Sequence, residues 1–237
     1  MQVWNWAGFW SYFVNPYLLG GAAVTLGLTA ATLVLGLALA LLLVLFRLSD
    51  NRVLKGYAQF HVWLFRGTPL LVQLIIIYTG LPQLGLWRLN VLEAALLGLV
   101  LNEAAYLSEI LRAGIQAVPR GQRDAALSLG LTRWKAFLLI TVPQAMRVIV
   151  PALGNSVNGL LKTTSIASVI SMEELLRRGQ ILMQQRFEVL EVFTCIAIIY
   201  LVMTSAWDLV QRRIEAYYGK AYKERGIAAK NLARDDH

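Results

Sequence analysis

The chain has 237 residues, of which 57% are hydrophobic, and its mean hydropathy is positive. This composition excludes an ordinary soluble domain of the same length, in which roughly half of the residues are apolar, and predicts a membrane protein. The net charge of +8 does not indicate nucleic-acid binding, because the 22 Lys and Arg residues lie between apolar runs and form no single basic face. The single cysteine, Cys195, excludes an intramolecular disulfide.

Five apolar segments predict an all-α polytopic membrane protein with five transmembrane helices. A helix over residues 24–46 is about 34 Å long, and the hydrocarbon core of a bilayer is about 30 Å thick. The five predicted spans are 24–46, 67–87, 89–117, 144–165 and 192–207.

Three of these spans carry residues that lipid does not favour. Gly67 and Pro69 interrupt the second span and predict a kink or break near the membrane edge. Glu103 lies near the middle of the third span, where a charge costs about 2.5 to 3.5 kcal/mol, so it must face protein or a water-filled cavity. The fourth span is rich in Asn, Ser and Thr between 155 and 165. Together these features predict a polar path through the membrane.

The distribution of basic residues predicts the orientation of the chain. With the N-terminus outside, most of the 22 Lys and Arg residues fall on the cytoplasmic side, as the positive-inside rule requires. The C-terminus is then cytoplasmic. We therefore expect a periplasmic or interfacial segment 1–19, a transmembrane domain 20–217 with a cytoplasmic loop 119–143, and a cytoplasmic polar tail 218–237.

The loop 119–143 predicts two helices joined by a tight turn. Pro119 suits the start of a helix, and Gly130 suits the left-handed position that ends one. Thr132 is a good N-cap for a second helix, which we expect to stop at Pro143.

The surface of this loop leaves two partners open. Ala125, Ala126 and Leu129 form a small apolar face that fits a groove on a partner protein. The loop also carries four basic residues that suit lipid headgroups equally well: Arg120, Arg123, Arg133 and Lys135.

The spacing of the loop resembles the EAA loop of the membrane subunits of binding-protein-dependent ABC importers. That pattern is Glu-Ala-Ala, three residues, Gly, nine residues, then Ile-x-Leu-Pro. Here it reads Asp124-Ala125-Ala126, Gly130, Ile140, Val142-Pro143, with Asp in place of Glu and Val in place of Leu. Flanking stretches resemble the polar amino-acid uptake branch, namely 64–70, 105–106 with Glu109, 154–156, and 161–162 with 164–165. The chain departs from that branch at Thr163, where Asp is frequent, and at 102–104, where small or hydroxyl residues are common.

This resemblance implies a type I ABC importer (MetI-like) core in the bacterial cytoplasmic (inner) membrane. It implies a permease for polar amino acids that works with two ABC ATPase subunits, a second copy of itself or a homologous permease, and a periplasmic or lipid-anchored substrate-binding protein. ATP and Mg would be bound by the partner ATPase, and we expect no catalytic residue, cofactor or metal in this chain. The coupling residues that it implies are Arg123, Asp124, Ala125, Ala126, Gly130 and Leu131.

Polar residues in the spans are candidates for contact with the substrate. They are Thr68, Glu103, Asn155 and Asn158, with Tyr106 as a wall. Glu103 would attract a cationic side chain or the α-ammonium group of any amino acid. Alternatively, Glu103 pairs with Lys162 or with a neighbouring subunit.

Two other functions remain open at this point. A type I ABC permease for another small solute would carry the same loop. A membrane channel or scaffold, in which the basic loop meets only lipid, would conduct without nucleotide.

Overall fold

The computed structural model describes residues 4–235, with side chains up to Tyr218, and the regular elements of this range are all helical. This agrees with the predicted all-α class. The α-helices are α1 Trp6–Phe13, α2 Pro16–Leu48, α3 Arg52–Gly67, α4 Leu70–Ile75, α5 Leu81–Gln83, α6 Val91–Gln116, α7 Arg120–Ser128, α8 Arg133–Ala136, α9 Val142–Thr163, α10 Leu175–Arg186 and α11 Val189–Asp235. Two π-helical turns and one 3-10 helix join some of them, at Ile76–Gly80, Phe137–Thr141 and Thr164–Ile170.

Within the described residues, four helical segments are long and apolar enough to cross a membrane: Pro16–Leu48, Val91–Gln116, Arg133–Ile170 and Val189–Tyr218. A fifth candidate is bent. Helix α3 and the segment Leu70–Gln83 meet the same criteria together, with a bend of 106° between them. If this pair is one span, the number of spans is the predicted five.

The break between α3 and α4 lies where the sequence predicts it. Thr68 ends α3 in an extended conformation, with φ −123° and ψ 148°, and Pro69 then precedes α4. The residue before a proline is pushed out of the helical region by contact with the proline ring, which explains the conformation of Thr68.

The expectation that Pro143 stops a helix is wrong. The π-helical turn Phe137–Thr141 leads directly into α9, so that Arg133–Ile170 is one long helical segment. A π turn shifts the hydrogen-bond partner by one residue, and the side-chain amide of Gln144 donates to the carbonyl of Ile140 at 3.0 Å. The widened turn therefore accommodates a residue without an N–H. Pro151, inside α9, does not end the helix either.

Helix α1 is amphipathic, as expected of an interfacial segment. Trp6 and Trp10 are exposed, whereas Phe9 and Tyr12 are buried against α2, α10 and α11. Its position at the membrane surface stays a prediction.

The chain forms two compact units. The first contains the residues up to Glu109 together with Ser156–Ser205, and the second contains Ile110–Asn155 and the residues from Ala206 onwards. In the first unit, apolar clusters join α1, α2, α10 and α11, then α4, α6 and the 3-10 helix, and then α2, α3 and α6.

The second unit relies on close helix approach at small residues. A side chain at Gly114 would meet Ile149, and the indole N–H of Trp207 donates to the carbonyl of Gly154 at 2.8 Å. Helices α6, α9 and α11 therefore pack together within this unit.

A buried carboxylate, Glu174, joins three helices of the first unit. It caps α10 by accepting from the backbone N–H groups of Leu176 and Arg177, at 3.0 and 2.8 Å. It also accepts from the hydroxyls of Tyr200 on α11, at 2.9 Å, and Thr25 on α2, at 3.4 Å. Burial raises the pKa of Glu174 above its usual range, and these hydrogen bonds partly oppose the shift.

We expect Glu174→Ala to destabilise the fold by about 2 to 4 kcal/mol, because it removes a helix cap and leaves a buried hydroxyl without its acceptor. Thermal unfolding of the detergent-solubilised protein should show a Tm lower by roughly 5 to 15 °C. Glu173→Ala is the matched control, because the neighbouring carboxylate is exposed. Equal effects of the two substitutions would contradict the role given to Glu174.

Candidate functional site

The predicted substrate residue Thr68 lies at the broken span, among buried side-chain amides. Its hydroxyl donates to the carbonyl of Leu64 at 2.8 Å, and its own carbonyl and hydroxyl oxygens accept from the Gln73 amide at 3.0 and 2.8 Å. Gln73 and Asn102 also both donate to the carbonyl of Phe65, each at 3.0 Å. An unsatisfied buried carbonyl costs about 1 to 3 kcal/mol, so these amides stabilise the break.

Sequence reasoning missed Gln73. It lies within a run of apolar residues, at 70–78, that we assigned to a lipid-crossing helix. A lone amide in such a run, four residues after a helix-breaking proline, is the signal that would have identified it.

Glu103 on α6 is 8% exposed, and its carboxylate accepts a hydrogen bond from the hydroxyl of Ser156 on α9. Helix α2 comes close at this point, because a Cβ on Gly36 would lie 3.6 Å from the Cβ of Glu103. Among the described residues, the partner of this carboxylate is Ser156, and no ion pair joins it to Lys162.

Tyr106, predicted as a wall, faces a charged group. The guanidinium of Arg66 lies 5.4 Å from the centre of its ring and 3.7 Å from the Glu109 carboxylate, which also pairs with Arg47. A cation over an aromatic face is attracted by the ring quadrupole. Tyr106 nevertheless remains 42% exposed, so part of its ring is available to a ligand.

The two asparagines of α9 are divided between the units. Asn158 belongs to the first unit, as do Thr68, Glu103 and Tyr106, and it is partly buried. Asn155 belongs to the second unit, where it is exposed and accepts from the amide of Gln211 at 3.3 Å.

A cavity of about 540 Å³ lies in the first unit between α9, α10 and α11. Lys162 lines it, together with Ser165, Leu176, Phe193, Ile196, Ala197, Tyr200, Leu201 and Thr204. None of the predicted substrate residues is among them. In the described part of the chain, no three His, Cys, Asp or Glu side chains lie close enough together to hold a metal ion.

The loop between α7 and α8 has the predicted geometry. Gly130 has φ +83°, Leu131 N–H donates to the Ala126 carbonyl at 3.2 Å, and Gly130 N–H donates to the Leu127 carbonyl at 3.0 Å. These two bonds are those of a Schellman motif, which ends a helix with a left-handed residue. Thr132 caps α8 by accepting from Lys135 N–H at 3.3 Å.

The predicted coupling residues differ in exposure. Arg123, Asp124, Ala125 and Gly130 are exposed and Leu131 is half-buried, whereas Ala126 is 5% exposed and packs within the chain. The apex of the turn instead presents Leu129, which is 84% exposed. A large apolar side chain on a rigid turn is suited to contact with a partner protein.

Comparison with solved structures reveals two similar folds. A chain from the crystal structure of an amino acid ABC transporter with histidines is 37% identical, with a TM-score of 0.85 over 92% of this chain and 100% of that chain. A chain from an inward-facing methionine ABC transporter has a TM-score of 0.64 over 85% of this chain and 93% of that chain. At 18% identity, the second similarity shows the fold alone.

Comparison of sequences gives relatives over nearly the whole chain. An arginine transport system permease protein of Corynebacterium glutamicum is 36% identical over 246 residues, covering 98% of this chain and 77% of that protein. A glutamine transport system permease protein of Escherichia coli K12 is 33% identical over 212 residues, covering 89% and 96%. The model of the family described as binding-protein-dependent transport system inner membrane component matches residues 32–218. The chain therefore belongs to this family of inner membrane transport components.

Proposed function

We propose that the chain is the permease subunit of an ATP-driven ABC importer for polar amino acids. As a membrane subunit of its family, it is not itself an enzyme. The observation that carries the proposal is the loop at Gly130, which lies between two helical segments long and apolar enough to cross a membrane and leaves Leu129 exposed. Relatives named as arginine and glutamine permeases support amino acids as the cargo.

The family implies ATPase and substrate-binding-protein partners. We assign two ABC ATPase subunits, a second copy of this chain or a homologous permease, and a periplasmic or lipid-anchored binding protein. The excess of basic residues in the segments assigned to the cytoplasm supports an N-terminus outside and a C-terminus inside, in a bacterial inner membrane. In this topology the 119–143 loop faces the ATPases, which bind ATP and Mg.

Transport proceeds by alternating access. ATP binding closes the ATPases, which displace the α7–α8 loop and open the path outward, and hydrolysis resets it. The helical segment Arg133–Ile170 begins at this loop, so it is the element that we expect to respond to a displacement of the loop.

We assign the substrate contacts of the first unit to Thr68, Glu103, Tyr106 and Asn158, and Asn155 of the second unit stays a separate candidate. Glu103 carries the charge of this set, and the Ser156 hydroxyl leaves part of the carboxylate's capacity to accept hydrogen bonds unused. An ammonium or guanidinium group of an amino acid is the ligand that a buried carboxylate in this environment favours.

The direct test reconstitutes the chain with its co-purified ATPase and binding protein in proteoliposomes. ATP-dependent uptake of labelled arginine or glutamine is expected, and a thermal-shift screen of the binding protein should identify the same amino acid. Uptake of a different class of solute would show that the proposed cargo, polar amino acids, is wrong. Conduction without nucleotide would instead indicate a channel.

We expect Gly130→Val to uncouple ATP hydrolysis from uptake. A β-branched residue at φ +83° costs about 1 to 3 kcal/mol, and this strain disturbs the turn that the ATPase displaces. Uptake and ATPase activity measured together in proteoliposomes check the expectation. Gly121→Val is the control, because a Cβ there also meets no neighbour but the backbone is that of an ordinary helix.

Gly130→Asn should preserve coupling, because asparagine tolerates the left-handed region. Full coupling in Gly130→Val would exclude the role of the turn.

We expect Glu103→Gln to lower uptake of arginine by about 10- to 100-fold, because a hydrogen bond to a charged group is worth about 1.5 to 3 kcal/mol. A smaller loss for glutamine would assign Glu103 to the cationic side chain, and an equal loss would assign it to the α-ammonium group. Glu93→Gln, at the exposed start of the same helix, is the control. Unchanged uptake of both amino acids would remove Glu103 from the substrate site.

A further inference from the structure

The carbonyl of Phe65 occupies a special position in the broken span. In a continuous α-helix it would accept from the N–H of the residue four positions later, which is Pro69 and has no N–H. In hydrocarbon no water replaces that donor. The carbonyl receives two side-chain amides instead, from Gln73 on α4 and Asn102 on α6, each at 3.0 Å.

The two amides are also bonded to each other. Asn102 donates to the amide oxygen of Gln73 at 3.0 Å, and the Gln73 nitrogen reaches both the carbonyl and the hydroxyl of Thr68. Both side chains are 8% exposed. One buried amide pair therefore links the end of α3 to α4 and to α6 at a single point.

Further contacts between α3 and α6 lie on either side of this point. A ring nitrogen of His61 lies 3.0 Å from the Leu101 carbonyl, and Arg66 stacks on Tyr106. These two contacts join α3 only to α6, whereas the side chain of Gln73 joins α3 to α4. Apolar packing against α6 and the 3-10 helix also holds α4, and Gln73 adds the polar link between α4 and the end of α3 at the 106° bend.

We propose that the amide pair of Gln73 and Asn102 is a positioning device for transport, which sets the bend of the broken span and so places Thr68 relative to the polar face of α6. Neither residue needs to touch the substrate. The part of this inference that concerns transport rests on the proposed function, whereas the part that concerns the bend does not.

The bend is measurable as a distance between two spin labels. Val53 on α3 and Ile76 beyond α4 are both exposed, and they are replaced by cysteine in a chain whose buried Cys195 is replaced by alanine. Helical rise places these positions about 21 and 9 Å from the break, so a 106° bend separates them by about 20 Å and a straight span by about 30 Å.

The test variant is Gln73→Met, which keeps the length and flexibility of the side chain but donates no hydrogen bond. In the assembled complex we expect a narrow distance distribution for the parent and a broader or longer one for Gln73→Met. The maximal rate of ATP-dependent uptake should fall by at least about tenfold, because small misplacements of positioning groups carry large rate costs. Gln83→Met, an exposed glutamine on the same span, is the control and should stay within about twofold.

Asn102→Ser provides a second variant if Gln73→Met does not yield a monodisperse complex, and we expect it to broaden the same distribution. Parent-like distances in both variants would overturn the proposal, as would a loss of uptake with no change in distance. If the parent complex carries no amino acid but the distances change as expected, the proposed cargo fails and the role of the amide pair in the bend stands.

Discussion

In a bilayer, each backbone group must find its hydrogen-bond partner within the protein, and Pro69 removes one such partner at the break of the bent span. Side chains of α4 and α6 fill that gap. The carbonyl of Phe65 accepts from two side-chain amides, and one of them, Gln73, also donates to Thr68 at the end of α3. A break that lipid alone would not tolerate is thereby stabilised, and it leaves Thr68 exposed.

Carboxylates packed between helices of the first unit need partners as well. Glu174 accepts from two backbone N–H groups and two hydroxyls, Glu109 pairs with Arg47 and Arg66, and Glu103 accepts from Ser156. The first two are structural, because their partners join helices and occupy the carboxylate oxygens. Glu103 differs in having a single hydroxyl, that of Ser156, as its partner, so acceptor capacity remains for the cation that we propose it binds.

The α7–α8 loop follows a different principle. Its geometry is local, since a left-handed Gly130, two backbone bonds and the Thr132 cap define it without help from distant residues. The helix that follows continues through a π turn instead of ending at Pro143, so the loop leads directly into a long helical segment.

The amino-acid sequence by itself determined the helical class, the break at Pro69, the turn at Gly130 and the family pattern of the loop, because each depends on chain sterics or hydrophobicity over a few neighbouring residues. Only the tertiary structure decided the partners of Gln73, Glu103 and Glu174 and the path of the helix through Pro143. Ser156 lies 53 positions from Glu103 in the sequence, and Thr25 lies 149 positions from Glu174. No local sequence pattern could therefore predict these hydrogen bonds. A polar residue in a membrane span indicates that a partner within the protein is required. The packing of the helices determines which residue that partner is.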